Sequence, residues 1–217
     1  MTMRVALIDY GAGNLRSAAK ALECAANQIN LSATISLVTD AAHVKSADYI
    51  VLPGVGSFEH CMTNLKALPD MVATLEDSVL KNGRPFLGIC VGMQLLAAEG
   101  HEHGITEGLG WMTGTVKKLE PKNSRLKVPH MGWNTLTLTD AGAAHPVFRN
   151  IATGDHVYFV HSFHMADAHM NMAARAFYGI PVTAAVIKDT VVGVQFHPEK
   201  SQAVGLKLLG DFLRWRP

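Results

Sequence analysis

Neither sign of charge prevails in this 217-residue chain: 19 Lys and Arg face 18 Asp and Glu, a formal net charge of +1. That balance supplies no pull toward nucleic acid or an anionic membrane surface, both of which are bound through accumulated positive charge. Cysteine is scarce. Cys24, Cys61 and Cys90 form no close pair, which excludes a disulfide framework and a zinc knuckle. Free thiols persist in a reducing compartment, so the expected location is cytoplasmic. No apolar run reaches the ~18 residues of a membrane helix, and the longest, Phe86 to Ala98, is broken by glycines and Gln94. The N-terminal run Val5-Ala6-Leu7-Ile8 is too short for a signal-peptide core and ends at Asp9. Repeats, low-complexity tracts and Pro/Ser-rich linkers are lacking too. At roughly 150 residues per domain, residues 1–217 are expected to form one domain. Its 48% hydrophobic content suffices for a core without metal or disulfide staples.

What is present alternates. Arg4–Ile8, Ile35–Val38, Tyr49–Leu52 and Phe86–Ile89 are short apolar runs of strand character. Between them, Leu15, Ala18, Ala19, Leu22, Ala25 and Ala26 recur at helical spacing, and Val72, Leu75 and Val79 mark a helix stopped by Gly83 and Pro85. Gly92 to Ala98 is helix-forming. The second half is richer in strands: Thr113–Leu119, Trp133–Leu138, Val157–Val160, Ala184–Ile187 and Val191–Phe196. Val204, Leu208 and Phe212 close the chain as an amphipathic helix with Ser201 as its expected N-cap. Such alternation predicts an α/β fold: an open, mostly parallel twisted sheet flanked by helices, with an antiparallel strand extension.

Three segments carry chemistry. Gly88-Ile89-Cys90-Val91-Gly92 lies between an apolar strand and a helix, the arrangement of a nucleophile elbow with Cys in place of Ser. Glycines two residues either side of the nucleophile permit a sharp turn, and the following helix N-terminus favours a thiolate. The Val91 N–H is then placed to meet a developing oxyanion. Gln195-Phe196-His197-Pro198-Glu199-Lys200-Ser201 follows a strand directly, so Glu199 can sit behind His197 and orient it. Cysteine nucleophile, histidine base and carboxylate orienter are the parts of a covalent acyl-transfer site. Pro53-Gly54-Val55-Gly56-Ser57-Phe58, after another strand, has the glycines a second oxyanion donor requires.

In this chain order the three segments resemble the class I (triad) glutamine amidotransferases. Asp9-Tyr10-Gly11-Ala12-Gly13-Asn14-Leu15, Pro129-His130-Met131-Gly132-Trp133-Asn134 and Tyr158-Phe159-Val160-His161-Ser162-Phe163 narrow the resemblance to the family of glutaminase subunits of imidazole glycerol phosphate synthase. The resemblance implies that Cys90 is the nucleophile, His197 the general base and acid, and Glu199 its orienter. It implies an oxyanion hole from Val91, Val55 and Gly56, and glutamine binding by Gly54, Gln94, Glu102, His161, Ser162 and Phe163. Phe163 stands where many relatives carry Tyr, so only backbone contacts there carry over. The Gly11–Asn14 turn and Lys200 resemble the surface facing a cyclase (synthase) subunit, a heterodimer partner that receives ammonia. That partner would make imidazole glycerol phosphate and an aminoimidazole carboxamide ribonucleotide in histidine biosynthesis. L-glutamine is the implied substrate, and no cofactor or metal is called for.

Several other signals are weaker. Arg16 occupies the third glycine position of the dinucleotide fingerprint begun by Gly11 and Gly13. His101-Glu102-His103 lacks metal-ligand spacing and a third ligand, and His161 and His164 offer no better set. Cys24 and Cys61 lack elbow glycines and read as structural. The alternatives are a class I glutaminase serving another synthase, a γ-glutamyl hydrolase, or a non-catalytic binding subunit that keeps the scaffold.

Overall fold

The computed structural model describes residues 2–123 and 125–217. Its first half runs β1 (Met3–Ile8), α1 (Leu15–Gln28), β2 (Ala33–Val38), α2 (Ala41–Ser46), β3 (Tyr49–Gly54), α3 (Phe58–Ala67), α4 (Met71–Glu76), β4 (Phe86–Cys90) and α5 (Val91–Gln94). The helix of α4 continues as a π-helical turn over Asp77–Lys81. Two short strands follow, β5 (Glu99–Gly100) and β6 (Thr106–Glu107), and then β7 (Thr115–Lys118), β8 (His130–Thr135) and β9 (Thr137–Leu138). After α6 (Asp140–Ala144) come β10 (His156–His161), β11 (Phe163–Ala166), β12 (Met172–Phe177), β13 (Pro181–Lys188), β14 (Val191–Val194) and α7 (Gln202–Arg214).

The main sheet has eight strands in the order β2-β1-β3-β4-β14-β13-β12-β9. From β2 through β14 the neighbours are parallel, and from β14 outward they are antiparallel. This is the expected mixed α/β sheet. Every residue of β3, β4 and β14 is buried, as a strand covered on both faces demands. Edge strand β2 instead alternates in exposure. Helices α1 and α7 pack on one another, and α3 packs on α4 and α5. Two smaller sheets complete the fold, a β8–β10 ribbon and a four-stranded sheet ordered β11-β7-β5-β6. No helix among the described residues is long and apolar enough to cross a membrane.

Two local expectations fail, each for a physical reason. The helix expected over Gly92 to Ala98 stops at Gln94. Past Leu95 the ladder fails: the Leu96 and Ala97 N–H groups reach only the Met93 and Gln94 carbonyls, the Ala98 N–H goes to the Gly114 carbonyl, and the Leu95 to Ala98 carbonyls accept from Leu109, Met112, Gly110 and Gly108 N–H. A passing loop replaces the helical ladder. Ser201 sits at the start of α7 but does not cap it. Its hydroxyl donates to the His197 carbonyl at 2.7 Å and accepts from Tyr158 N–H at 3.0 Å.

Candidate active site

Parallel register brings the predicted segments to one edge. Gly54 at the end of β3 stands opposite Cys90 at the end of β4, and Val194 of β14 stands opposite Ile89. The chain beyond these C-terminal strand ends is where open α/β sheets place their ligands. Cys90 itself has φ +56° and ψ −113°, a strained conformation for a residue with a side chain. The turn is held by close packing. A Cβ on Gly92 would run into the Leu52 carbonyl, and one on Gly88 would meet the Gly92 carbonyl oxygen at 2.6 Å.

A cavity of about 350 Å³ opens at this edge, lined by Val55, Gly56, Cys90, Val91, Gln94, Glu102, His161, Ser162, Phe163, His197 and Lys200, with Pro129 and Val160. Of the glutamine-binding candidates only Gly54 lies outside it, packed between Tyr10 and the Gly92 backbone. Gly11 and Asn14 do not line the cavity; they lie at the turn into α1, whose Gly13 packs against Pro53. The Lys200 ammonium lies 5.7 Å from the Tyr158 ring centre, a cation–π distance.

His197 and Glu199 are both buried, with His197 Nδ1 and Glu199 Oε1 2.7 Å apart. His197 Nε2 is enclosed and makes no hydrogen bond. Burial opposes charge on this ring, but the nearby Cys90 sulfur and the Glu199 carboxylate outweigh it and hold the pKa up at about 9. An imidazolium beside the sulfur stabilises a thiolate, so the trio is arranged for nucleophilic chemistry. The His197 backbone is hung on β10, its N–H donating to the Tyr158 carbonyl at 2.9 Å.

The other candidates have definite partners. Gln94 Nε2 donates to the Phe163 carbonyl and to Gln195 Oε1, both at 2.9 Å. Glu102 accepts from the Phe58 N–H at 2.8 Å, at the start of α3. His161 Nδ1 bonds the Phe163 carbonyl at 2.9 Å, and burial, joined by neighbouring histidines, lowers its pKa to about 3. The Cys61 thiol donates to the Val55 carbonyl at 3.5 Å, and burial pushes its pKa up to about 11. Cys61 is therefore a neutral prop under the Val55–Gly56 turn.

Sequence reasoning missed His130 and Gln195, which bond the predicted residues from behind: His130 Nδ1 is 2.9 Å from His161 Nε2, and Gln195 Nε2 is 3.7 Å from Cys90 Sγ. Gln195 carried a signal, since it is the first residue past β14 and the register puts it beside Cys90. His130 lies in a segment that narrowed the resemblance, but nothing local marked its ring as the partner of His161.

Fold and site together define a glutamine amidotransferase: the class I glutamine amidotransferase family model matches residues 6–214, and the chain belongs to that family. It is 53% identical over 219 residues to the imidazole glycerol phosphate synthase subunit HisH of Mesorhizobium japonicum, covering 99% of this chain and 100% of that protein. The subunit of the same name from Rhodospirillum rubrum is 52% identical over 216 residues, again with 99% and 100% covered. Among solved structures, the glutaminase domain of Trypanosoma brucei CTPS with bound acivicin superposes with a TM-score of 0.69 at 14% identity, covering 100% of this chain and 96% of that one. A Thermotoga maritima glutamine amidotransferase reaches 0.59 at 20% identity, over 92% of this chain and 77% of that one. At such identities these two speak for the fold alone.

Proposed function

We propose that this protein is the glutaminase subunit of imidazole glycerol phosphate synthase, hydrolysing L-glutamine and passing the ammonia to a cyclase subunit in histidine biosynthesis. The single observation that carries the chemistry is the buried His197–Glu199 pair at 2.7 Å, with His197 and the elbow cysteine facing one cavity and Glu199 behind the ring. The identity to HisH subunits over the whole chain supports the particular synthase.

In this reading the Cys90 thiolate attacks the side-chain amide carbon of glutamine. Negative charge collects on the amide oxygen, met by the Val91 N–H at the start of α5 and by the backbone of Val55 and Gly56. His197, protonated, gives its proton to the departing ammonia, and a thioester remains on Cys90. His197 then takes a proton from water, which attacks the thioester and releases glutamate. Glu199 accepts from Nδ1–H and thereby directs Nε2 to the reacting atoms. Gln94, His161, Ser162 and Phe163 form the glutamine-binding wall, and Glu102 is the acid for the α-ammonium. Gly54 acts by holding the elbow and the Val55–Gly56 turn together.

The partner docks on the face that carries Lys200, Gly11 and Asn14. Exposed apolar side chains support this: Met131 is 61% and Trp133 47% exposed. Trp133 stacks edge-on against Tyr158, the same ring that underlies Lys200, so one surface runs from the cavity mouth to the apolar patch. The protein works in the cytoplasm, as one domain, without cofactor or metal. Mixing it with the cyclase subunit, its nucleotide substrate and glutamine is expected to yield glutamate and imidazole glycerol phosphate together. Product formed from ammonium salts but never from glutamine would defeat the assignment.

A further inference from the structure

Behind the cavity wall a line of polar side chains, buried from His130 inward, ends on the nucleophile, and its polarity can be read link by link. Asn134 Oδ1 accepts from the Thr135 N–H at 2.8 Å, so its amide nitrogen is the atom 2.9 Å from the Phe177 carbonyl and 3.2 Å from His130 Nε2. His130 Nε2 therefore accepts. Burial lowers the pKa of His130 to about 4 and of His161 to about 3, so each ring holds one proton at neutral pH. The His130 proton is then on Nδ1 and is donated to His161 Nε2 at 2.9 Å. The His161 proton is on Nδ1 and goes to the Phe163 carbonyl.

That carbonyl, an acceptor only, also faces Gln94 and so requires the Gln94 nitrogen there. The second Gln94 hydrogen points at Gln195, which must answer with Oε1. Only one orientation of the Gln195 amide remains, and it turns Nε2 to the Cys90 sulfur, 3.7 Å away. Gln195 is fully buried, so bulk solvent does not compete for these bonds.

We propose that Gln195 is a further catalytic residue, a hydrogen-bond donor to the Cys90 thiolate. Gln94, Phe163, His161, His130 and Asn134 are the positioning residues that fix its amide. The assignment rests on Cys90 being the nucleophile. The Val160 carbonyl, 4.0 Å from the sulfur, accepts the hydrogen of the neutral thiol, whereas Gln195 serves the anion. A donor to an ionised group is worth more than one to a neutral group, so Gln195 tilts the balance to the reactive form.

The test is alkylation by iodoacetamide at pH 7 on the full chain, with Cys90, Cys24 and Cys61 followed separately by peptide mass spectrometry. In Gln195→Met, Cys90 is expected to react about tenfold more slowly, the equivalent of one pH unit in thiolate population, with its rate profile displaced to higher pH. Gln195→Glu, which turns an acceptor toward the sulfur, should slow it further. Cys24 is the internal control and should keep its rate. With the cyclase present, kcat should fall about tenfold and KM stay within about twofold, as for an interaction made with the reacting sulfur and not with bound substrate. A Cys90 that reacts no faster than Cys24 in the unaltered protein would remove the nucleophile itself. A fast Cys90 in the unaltered protein and in either folded variant overturns the role of Gln195 alone. Should both variants fail to fold, the Gln195 side-chain amide resonance of the unaltered protein decides: it must move when Cys90 is alkylated, and an unmoved resonance rejects the contact.

Discussion

The two walls of the catalytic cavity are built in opposite ways. On the elbow side, Gly88, Cys90 and Gly92 hold their places through backbone crowding: strand β4 presses on β3 and α5 so closely that neither glycine tolerates a Cβ. On the facing side, the β8–β10 ribbon and the start of β11 are held by side chains, with His130 and His161 bonded to each other inside the protein. Packing that excludes a methyl group is insensitive to pH, whereas a pair of buried neutral imidazoles is not. One wall should fail by substitution and the other by acid.

Five interventions separate the walls and the chemistry between them. Cys90→Ala should lower glutamate release by on the order of a thousandfold or more, with the circular dichroism unchanged and ammonium-dependent synthesis by the complex retained. Glu199→Gln removes the carboxylate that helps hold His197 near 9, and kcat should drop by on the order of 10²–10⁴. Gly92→Ala drives a methyl into the Leu52 carbonyl and should cost about 3 kcal/mol or more of stability, read as a lower urea midpoint at every pH.

Acid attacks the other wall. His130 and His161 stay neutral in the folded protein down to about 4 and about 3, but in the unfolded chain they take protons near 6.5. Between those values the unfolded state binds more protons, so their contribution to stability is full above about pH 6.5 and drains away toward pH 4. His197 works the other way: its raised pKa stabilises the fold below 6.5, and that gain fades as pH rises through about 9. Melting temperatures measured from pH 4 to 10 should therefore fall at both ends. His130→Phe should flatten the acid limb, and an unchanged acid limb in a folded variant would show that the histidine pair is not its source. The smallest effect is expected of Ser201→Ala, which strands the Tyr158 N–H and should cost about 1–2 kcal/mol, seen as a modest shift in the urea midpoint.

The contrast between walls also explains what could be read from the chain alone. Elbow and triad were legible because their determinants are local: glycines two residues from Cys90, and a carboxylate two residues past His197. The parallel half of the sheet was legible from its apolar runs. Helix α3 was overlooked although Ser57 caps it, its hydroxyl accepting from the His60 N–H at 3.3 Å, because the preceding glycines read as a turn. The truncation of α5 was hidden, since the groups that take over the hydrogen bonds of Leu95 to Ala98 lie at Gly108 to Gly114. The ring bonds of His130 and the donor role of Gln195 depend on strand register and on partners up to 105 residues away. No short window contains them.

At position 163 the group in use is the peptide oxygen, which receives both His161 and Gln94, and every amino acid brings one. These two bonds therefore place no demand on which side chain stands there. Surveys that weigh importance by side-chain identity will pass over this spot, although the wall hangs from it.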